Sequence, residues 1–400
     1  MGYLTEKRTT RFSKRFGRRF PWIIGGSFIW VFTFILIFAI PDFVQNDQTL
    51  LFIWMILTTC LFDTFYSLWD VNYQSIFPDK FRSESVRSRA ASIATVIGIF
   101  GIAIGFILPS ELTTFGVPSS YVTMAIVVAV VGFFLVFLLI PGVKESPDMI
   151  DRFYKDRESS ESSSFFGELA RAFRVRNFLA WIIMYFFYQS AINSLVGSVQ
   201  YIGDYVLPPD SSTTLMFVGL LVGAIFGIII WLQFRKLLGD RITNQRLMMI
   251  TALVMAFFAL PMTLLEINSV SLFTIFLFLG GIGFGGYWMI MTPALADVID
   301  EIVIKTGKRN DGIFMGFRSF FGRLAFAVQA ISFWLIHELT DFNPVAGATQ
   351  TETAIFGIHI HTALLPAIFL VIGVFVFWRM NTLTHTSVQE NKERLKEMGL

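Results

Sequence analysis

The chain runs to 400 residues, of which 54% are hydrophobic and 46 are phenylalanine, and its mean hydropathy is +0.65. That composition excludes a soluble globular protein and calls for lipid as the solvent. A net charge of +2 gives no ground for a nucleic-acid partner, and the single cysteine, Cys60, inside an apolar segment, excludes a disulfide framework and offers no metal cluster.

The opening, about twenty residues, is polar and basic, so no cleavable signal is expected at Met1. The first apolar span is predicted over Pro21 to Ile40 and the second over Leu50 to Ile76. The second carries Asp63 and Asp70, which a helical repeat places on nearly one face. Tyr66, Ser67, Tyr73 and Gln74 lie on or beside that face, making a polar stripe about 15 Å long. Two accounts fit the stripe. A cation or proton is coordinated by the carboxylates near mid-membrane, or Asp70 marks the cytoplasmic helix end and Asp63 is capped by a neighbouring helix.

The third and fourth spans are predicted over Ala90 to Leu108 and Tyr121 to Ile140. The longest basic loop, Pro141 to Arg176, follows, with a Ser-rich charged linker at Lys155 to Ser164 and an amphipathic surface helix from Ser164 to Arg176, on which Phe165, Leu169 and Phe173 form the apolar side. The fifth span, Phe178 to Tyr201, presents Tyr185, Gln189, Asn193, Gln200 and Asp204 at helical spacing. Such a face binds a polyol or head group in an aqueous cavity, or else mediates polar packing between helices.

The sixth to eighth spans are Leu215 to Leu232, Leu247 to Leu265 and Leu272 to Leu295. Gly219, Gly223 and Gly227 in the sixth, like Gly98, Gly101 and Gly105 in the third, have the small-residue spacing of close helix packing. The Gly280 to Gly286 run with Pro293 marks a bendable helix or further close packing. Arg318 and Arg323 lie in the ninth span, Ile313 to Ile336. Arg318 is near enough to the end to snorkel, whereas Arg323 needs a carboxylate, with Asp297, Asp300 or an aspartate of the second span as candidates. The tenth span is Ala363 to Trp378, and His337, His359 and His361 fall at outer span ends or in an outer loop, where a surface role is expected.

All 31 Lys and Arg residues lie in, or at the same ends of spans as, alternate loops, and the loops around Asp42, Glu111, Asp210, Glu266 and Asp341 hold none. Basic loops stay in the cytoplasm, so a multi-pass protein of the cell membrane with both termini cytoplasmic is expected. Thr5-Glu6-Lys7-Arg8-Thr9 before the first span echoes Gly239-Asp240-Arg241-Ile242-Thr243 before the seventh, and Tyr66 to Asp79 echoes Tyr287 to Asp300. These echoes predict two six-helix halves from which the first two helices are absent. The predicted organisation is a basic opening (1–20), a four-span bundle (21–140), a linker (141–176), a six-span bundle (177–380) and a cytoplasmic tail (381–400). No phosphate-binding loop, nucleophile elbow or zinc spacing occurs, so no enzyme is expected.

Glu6-Lys7-Arg8-Thr9, Arg11-Phe12 and Gly17-Arg18-Arg19-Phe20-Pro21-Trp22-Ile23 resemble the basic loop between helices two and three of the major facilitator superfamily, in the variant of the glycoside-pentoside-hexuronide to cation symporters. Asp70 to Pro78, Ala296 to Asp300, and Thr306 to Arg309 leading to Gly312 and Arg323 agree with the same family. The resemblance implies an all-α, two-bundle transporter with ten helices present of twelve. It matches Asp70 to the family's fourth-helix aspartate at the cation and sugar site, and Arg323 to a helix-eleven lysine near it. The family's other cation-binding and sugar-gripping carboxylates lie on helices one and two, and its helix-five sugar-site arginine has no match between Ser92 and Leu108.

The resulting expectation is a secondary transporter, without cofactor and monomeric, that couples a sugar, glycoside or other small polar solute to Na⁺ or H⁺ by alternating access. Asp70 and Asp63 would bind the cation, with no other metal site. Tyr66, Tyr73, Gln74, Gln189 and Asn193 would bind the solute, and Arg323, Asp297 and Asp300 would act as charge partners. Lysolipid transport, a non-transporting membrane-embedded regulatory subunit or a truncated fragment, and last an intramembrane enzyme, are the alternatives.

Overall fold

Lipid offers a backbone no hydrogen-bond partners, and a helix satisfies its N–H and C=O groups within one segment. The computed structural model describes residues 16–17, 19–80, 84–114, 116–150, 173–208, 213–239, 242–264, 268–306, 311–345 and 349–397, and among them every regular element is helical. The chain forms two units, Met1–Ser163 and Ser164–Leu400.

In the first unit α1 (Phe20–Phe38) begins with Pro21, whose missing N–H is one that a helix start leaves unpaired in any case. The backbone N–H groups of Arg19 and Phe20 donate to Glu145 Oε1 at 2.6 and 3.3 Å, fixing the start of α1 to the end of the unit. A short α2 (Asp42–Gln45) leads to α3 (Gln48–Lys80), whose first turn is capped by Asp47 Oδ1, which accepts from the N–H groups of Thr49 and Leu50 at 2.8 and 3.1 Å. Then come α4 (Glu84–Leu112) and α5 (Pro118–Val143). Ile23, Ile76 and Val143 form one core cluster among α1, α3 and α5, and Val31, Ala129 and Val136 another between α1 and α5. Lys80 Nζ donates to the carbonyl of Gly142, joining the ends of α3 and α5.

In the second unit α6 (Arg176–Tyr201) continues through a π-helical turn (Ile202–Val206). Next come α7 (Thr213–Leu238), α8 (Asn244–Leu264), α9 (Val270–Thr306) and α10 (Asp311–Leu339). The last span is broken: α11 (Glu352–His359), a π turn (Ile360–Leu364) and α12 (Leu365–Met380) precede α13 (His385–Glu397). Pro366 has no N–H to return to the carbonyl of Thr362, which accounts for the widening of the helix just before it. Buried Asn177, at the start of α6, donates to Glu301 Oε2 (2.7 Å) and Thr382 Oγ1 (2.9 Å) and accepts from the Thr382 N–H (2.8 Å). It thereby ties α6, α9 and the segment after α12 together.

Nine helices among the described residues are long and apolar enough to cross a bilayer, and α4 adds the shorter apolar stretch Phe100–Leu112. The predicted third span is represented by that stretch. The last span begins at Glu352 and not at Ala363, because His359, His361 and Thr362 interrupt the hydropathy signal without interrupting the helix. The glycine expectations separate. A Cβ at Gly223, Gly227 or Gly285 would strike backbone of the facing helix between α7 and α9, as close packing requires. At Gly98, Gly101 and Gly105 nothing lies within 4 Å of such a Cβ, so close packing is not what these three serve among the described residues. The glycine run of α9 faces α7 and α8 through Gly281, Gly283, Gly285 and Gly286, which favours packing over bending. The linker centre at Lys155, the surface helix up to residue 172 and the basic opening up to residue 15 lie outside the described residues.

Candidate functional site

The polar stripe of α3 divides into two faces. Asp63, Ser67, Asp70 and Gln74 recur every three or four residues along one side. Gln74 Nε2 donates to Asp70 Oδ1 at 2.8 Å, and Ser67 Oγ donates to the Asp63 carbonyl at 2.6 Å. Both carboxylates are half-buried. Tyr66 and Tyr73 lean the other way, into an aromatic ladder with α1. Trp69 stacks on Trp30 with ring centroids 5.3 Å apart, Tyr73 stacks on Trp69 at 5.5 Å, and Tyr66 tilts against Trp30 at 5.3 Å. The ladder holds α3 against α1 through apolar ring faces, which fixes the rotation of α3 and hence the direction of its acidic face. Asp63 and Asp70 lie about 10.5 Å apart along the helix axis, so each is a separate acidic oxygen donor able to hold a hard cation with other ligands or to carry a proton.

The second unit contains its own polar cluster on α6, α9 and α10. Buried Tyr185 stacks on Trp181 at 5.3 Å, and the Arg318 guanidinium sits over the Tyr185 ring at 5.7 Å from its centroid. Arg318 therefore has an aromatic partner along α6 in addition to any reach toward the helix end. Tyr188 of α6 and Tyr287 of α9 are stacked at 3.5 Å. Among the described residues the side-chain donors Trp181 Nε1, Tyr188 Oη, Asn193 Nδ2, Ser194 Oγ and Tyr287 Oη are buried without a hydrogen-bond partner. Each such group costs roughly 1–3 kcal/mol, and a polar ligand or water that reached them would recover that cost. Gln189 is half-buried one turn before Asn193 on the same helix. Gln200 and Asp204, further along, pair with each other at 3.0 Å.

Asp297 of α9 is 5% exposed, and its Oδ2 accepts from Asn244 Nδ2 at 2.7 Å and Gln245 Nε2 at 3.3 Å. It lines a cleft of about 590 Å³ with Arg235, Lys236 and His385 at the basic-loop end of the unit. Half-buried Asp300 lies one turn further along α9, and half-buried Arg323 lies on α10 beyond Arg318. The amide partners of Asp297 were not foreseen, although they directly follow the repeated segment ending at Thr243. Nor were Trp30, Trp69, Tyr188 and Tyr287, whose pairings cross between helices and leave no local signal.

The histidines depart furthest from expectation. His359 is 2% exposed and His361 0%, against the surface role expected of them, and His337 is half-buried. The reason is the early start of the last span, which carries both residues inside the helical unit.

Residues 1–383 match the family described as MFS/sugar transport protein. The chain belongs to that family. It is a multi-pass membrane transporter of the major facilitator superfamily and not an enzyme. Among curated relatives it is 21% identical to the mouse sodium-dependent lysophosphatidylcholine symporter 1, over 96% of this chain and 76% of that protein. It is 25% identical to the uncharacterized symporter YnaJ of Bacillus subtilis, over 91% of this chain and 76% of that one. The lactose permease of Lactobacillus delbrueckii subsp. bulgaricus is 23% identical, over 96% of this transporter and 62% of the permease. Among solved structures the fucose:proton symporter FucP of E. coli shows 13% identity and a TM-score of 0.48, covering 93% of this transporter and 86% of FucP.

Proposed function

We propose that this transporter is a cation-coupled symporter of the glycoside-pentoside-hexuronide branch, moving a small polar or amphipathic solute by alternating access. The observation that carries the reading is the pair Asp63 and Asp70 on one face of α3, with Gln74 hydrogen-bonded to Asp70. Two carboxylates on a lipid-crossing helix repel one another and resist desolvation, and a bound Na⁺ or proton relieves both costs. Whichever conformation binds the cation better is then favoured by it, and solute that binds the same conformation is coupled. Relatives named as sodium-dependent lysophosphatidylcholine symporters support Na⁺ as the coupling ion.

For the solute, the unpartnered donors at Trp181, Asn193 and Ser194 beside Gln189 suit hydroxyl or phosphate oxygens. This combination fits a sugar and equally the head of a lysolipid, and the curated relatives include transporters named for each. Asp297, Asp300 and Arg323 serve as charge partners near the basic-loop side, which the loop charges make cytoplasmic together with both termini. Purified full chain in vesicles, with an imposed Na⁺ or pH gradient, is screened for uptake of radiolabelled glycosides and of lysophosphatidylcholine. Gradient-dependent accumulation of one class supports the proposal and names the solute. Accumulation of either class at the same rate with no ion gradient counts against coupling.

A further inference from the structure

We propose that His337 and His361 form a two-histidine binding site for a divalent transition-metal ion of the zinc class. It lies in the second unit, at the ends of α10 and the broken last span away from the basic loops.

The Nε2 atoms of His337 and His361 are 3.3 Å apart. Two imidazole ligands of a tetrahedral zinc ion, each about 2.0–2.1 Å from it, hold their nitrogens about 3.3 Å apart and their ring centres about 5 Å apart. The observed ring centroids are 5.2 Å apart, with the planes at 68°. A straight N–H···N bond would put the centroids farther apart at this nitrogen separation. The rings are therefore angled off the line joining the two Nε2 atoms, as a shared metal position beside that line requires.

Behind His361, Ser198 Oγ lies 2.7 Å from Nδ1 and within donating distance of the Ser194 carbonyl (2.6 Å) and the His361 carbonyl (3.2 Å); with its single proton on either carbonyl, Ser198 accepts from His361 Nδ1–H. That leaves the His361 Nε2 lone pair free of its own proton, the state required of a ligand, with the orienting partner that metal-bound histidines use. In the absence of metal the same lone pair accepts from His337 Nε2–H; a metal replaces this bond while His337 moves its proton to Nδ1 or releases it.

The surroundings are aromatic. Tyr201 meets His361 edge-on at 5.4 Å, Phe333 lies 4.3 Å from it, and Phe342 stacks on His337 at 4.2 Å. The half-buried His337 leaves one open side. The π turn at Ile360–Leu364 sets the direction of His361, and such turns often mark functional positions. Among the described residues no group of three or more His, Cys, Asp or Glu side chains could hold a metal ion, so the two histidines would be the site's side-chain ligands of these types and the remaining positions would have to be filled by water entering past His337. Of the other two histidines, His359 Nδ1 is engaged at 3.1 Å with the Met262 carbonyl and His385 lines the cleft at the opposite end of the unit.

The test reads binding and not transport, so its outcome is separate from that of the symport proposal. Chelator-treated full chain in detergent is titrated with Zn²⁺ while thermal unfolding is followed, and with Co²⁺ while visible absorption is followed. Zn²⁺ at micromolar concentration should raise the midpoint by about 3 °C or more. Mg²⁺ should not reproduce the rise, and Co²⁺ should develop ligand-field bands. His337→Gln, at the half-buried position, and His361→Gln should each remove both effects. Absence of shift and bands in the wild type overturns the proposal, as does their persistence in His337→Gln. If His361→Gln does not fold, the wild type and His337→Gln decide.

Discussion

Tyr188 and Tyr287 stack face to face with centroids 3.5 Å apart, and both hydroxyls are buried without a hydrogen-bond partner among the described residues. The rings supply packing between α6 and α9, whereas the hydroxyls as they stand are a cost of roughly 1–3 kcal/mol each. Tyr287→Phe is expected to leave thermal stability unchanged or raise it by about 1 kcal/mol, and Tyr287→Ala to lower it by about 3–5 kcal/mol. If the hydroxyl meets solute, Tyr287→Phe also raises the uptake KM while stability is kept. Unfolding curves and uptake kinetics on the same preparations separate the two roles.

Asn177 joins α6, α9 and the chain after α12 through contacts to the Glu301 carboxylate, the Thr382 hydroxyl and the Thr382 N–H. Asn177→Ala should destabilise the protein by about 2–4 kcal/mol, since the Thr382 N–H and Glu301 lose buried partners together. Thermal unfolding in detergent checks this, and a shift below about 1 °C would show that the clamp contributes little.

Two glycines from similarly spaced triplets should respond oppositely. Gly223→Ala drives a methyl into the backbone of Phe278, so α7 and α9 must separate, at a cost of about 1–3 kcal/mol or more. Gly101→Ala meets nothing within 4 Å and should stabilise its helix by about 0.5–1 kcal/mol. Paired melting curves of the two variants provide the measurement.

Much of the fold was legible because lipid leaves few solutions for a backbone, so apolar runs and basic loops report spans directly. The Asp70 and Gln74 contact was legible too, since it lies within one helix at a spacing of four. The Trp30 and Trp69 stack was not, because which face of α3 meets α1 depends on packing between distant segments. The glycine triplets show the same limit, as only the facing helix decides whether small residues are used. His359 and His361 were misplaced for a further reason: polar residues at a π turn lower local hydropathy and hide a helix that continues through them.

The most direct test of the account is ion-driven uptake by the full chain in vesicles carrying wild type, Asp63→Asn or Asp70→Asn. If the acidic face of α3 holds the coupling cation, either substitution should reduce gradient-driven accumulation at least tenfold, about 1.4 kcal/mol or more of coupling, while solute exchange without a gradient persists. Accumulation with wild-type dependence on Na⁺ and pH in both variants would contradict it.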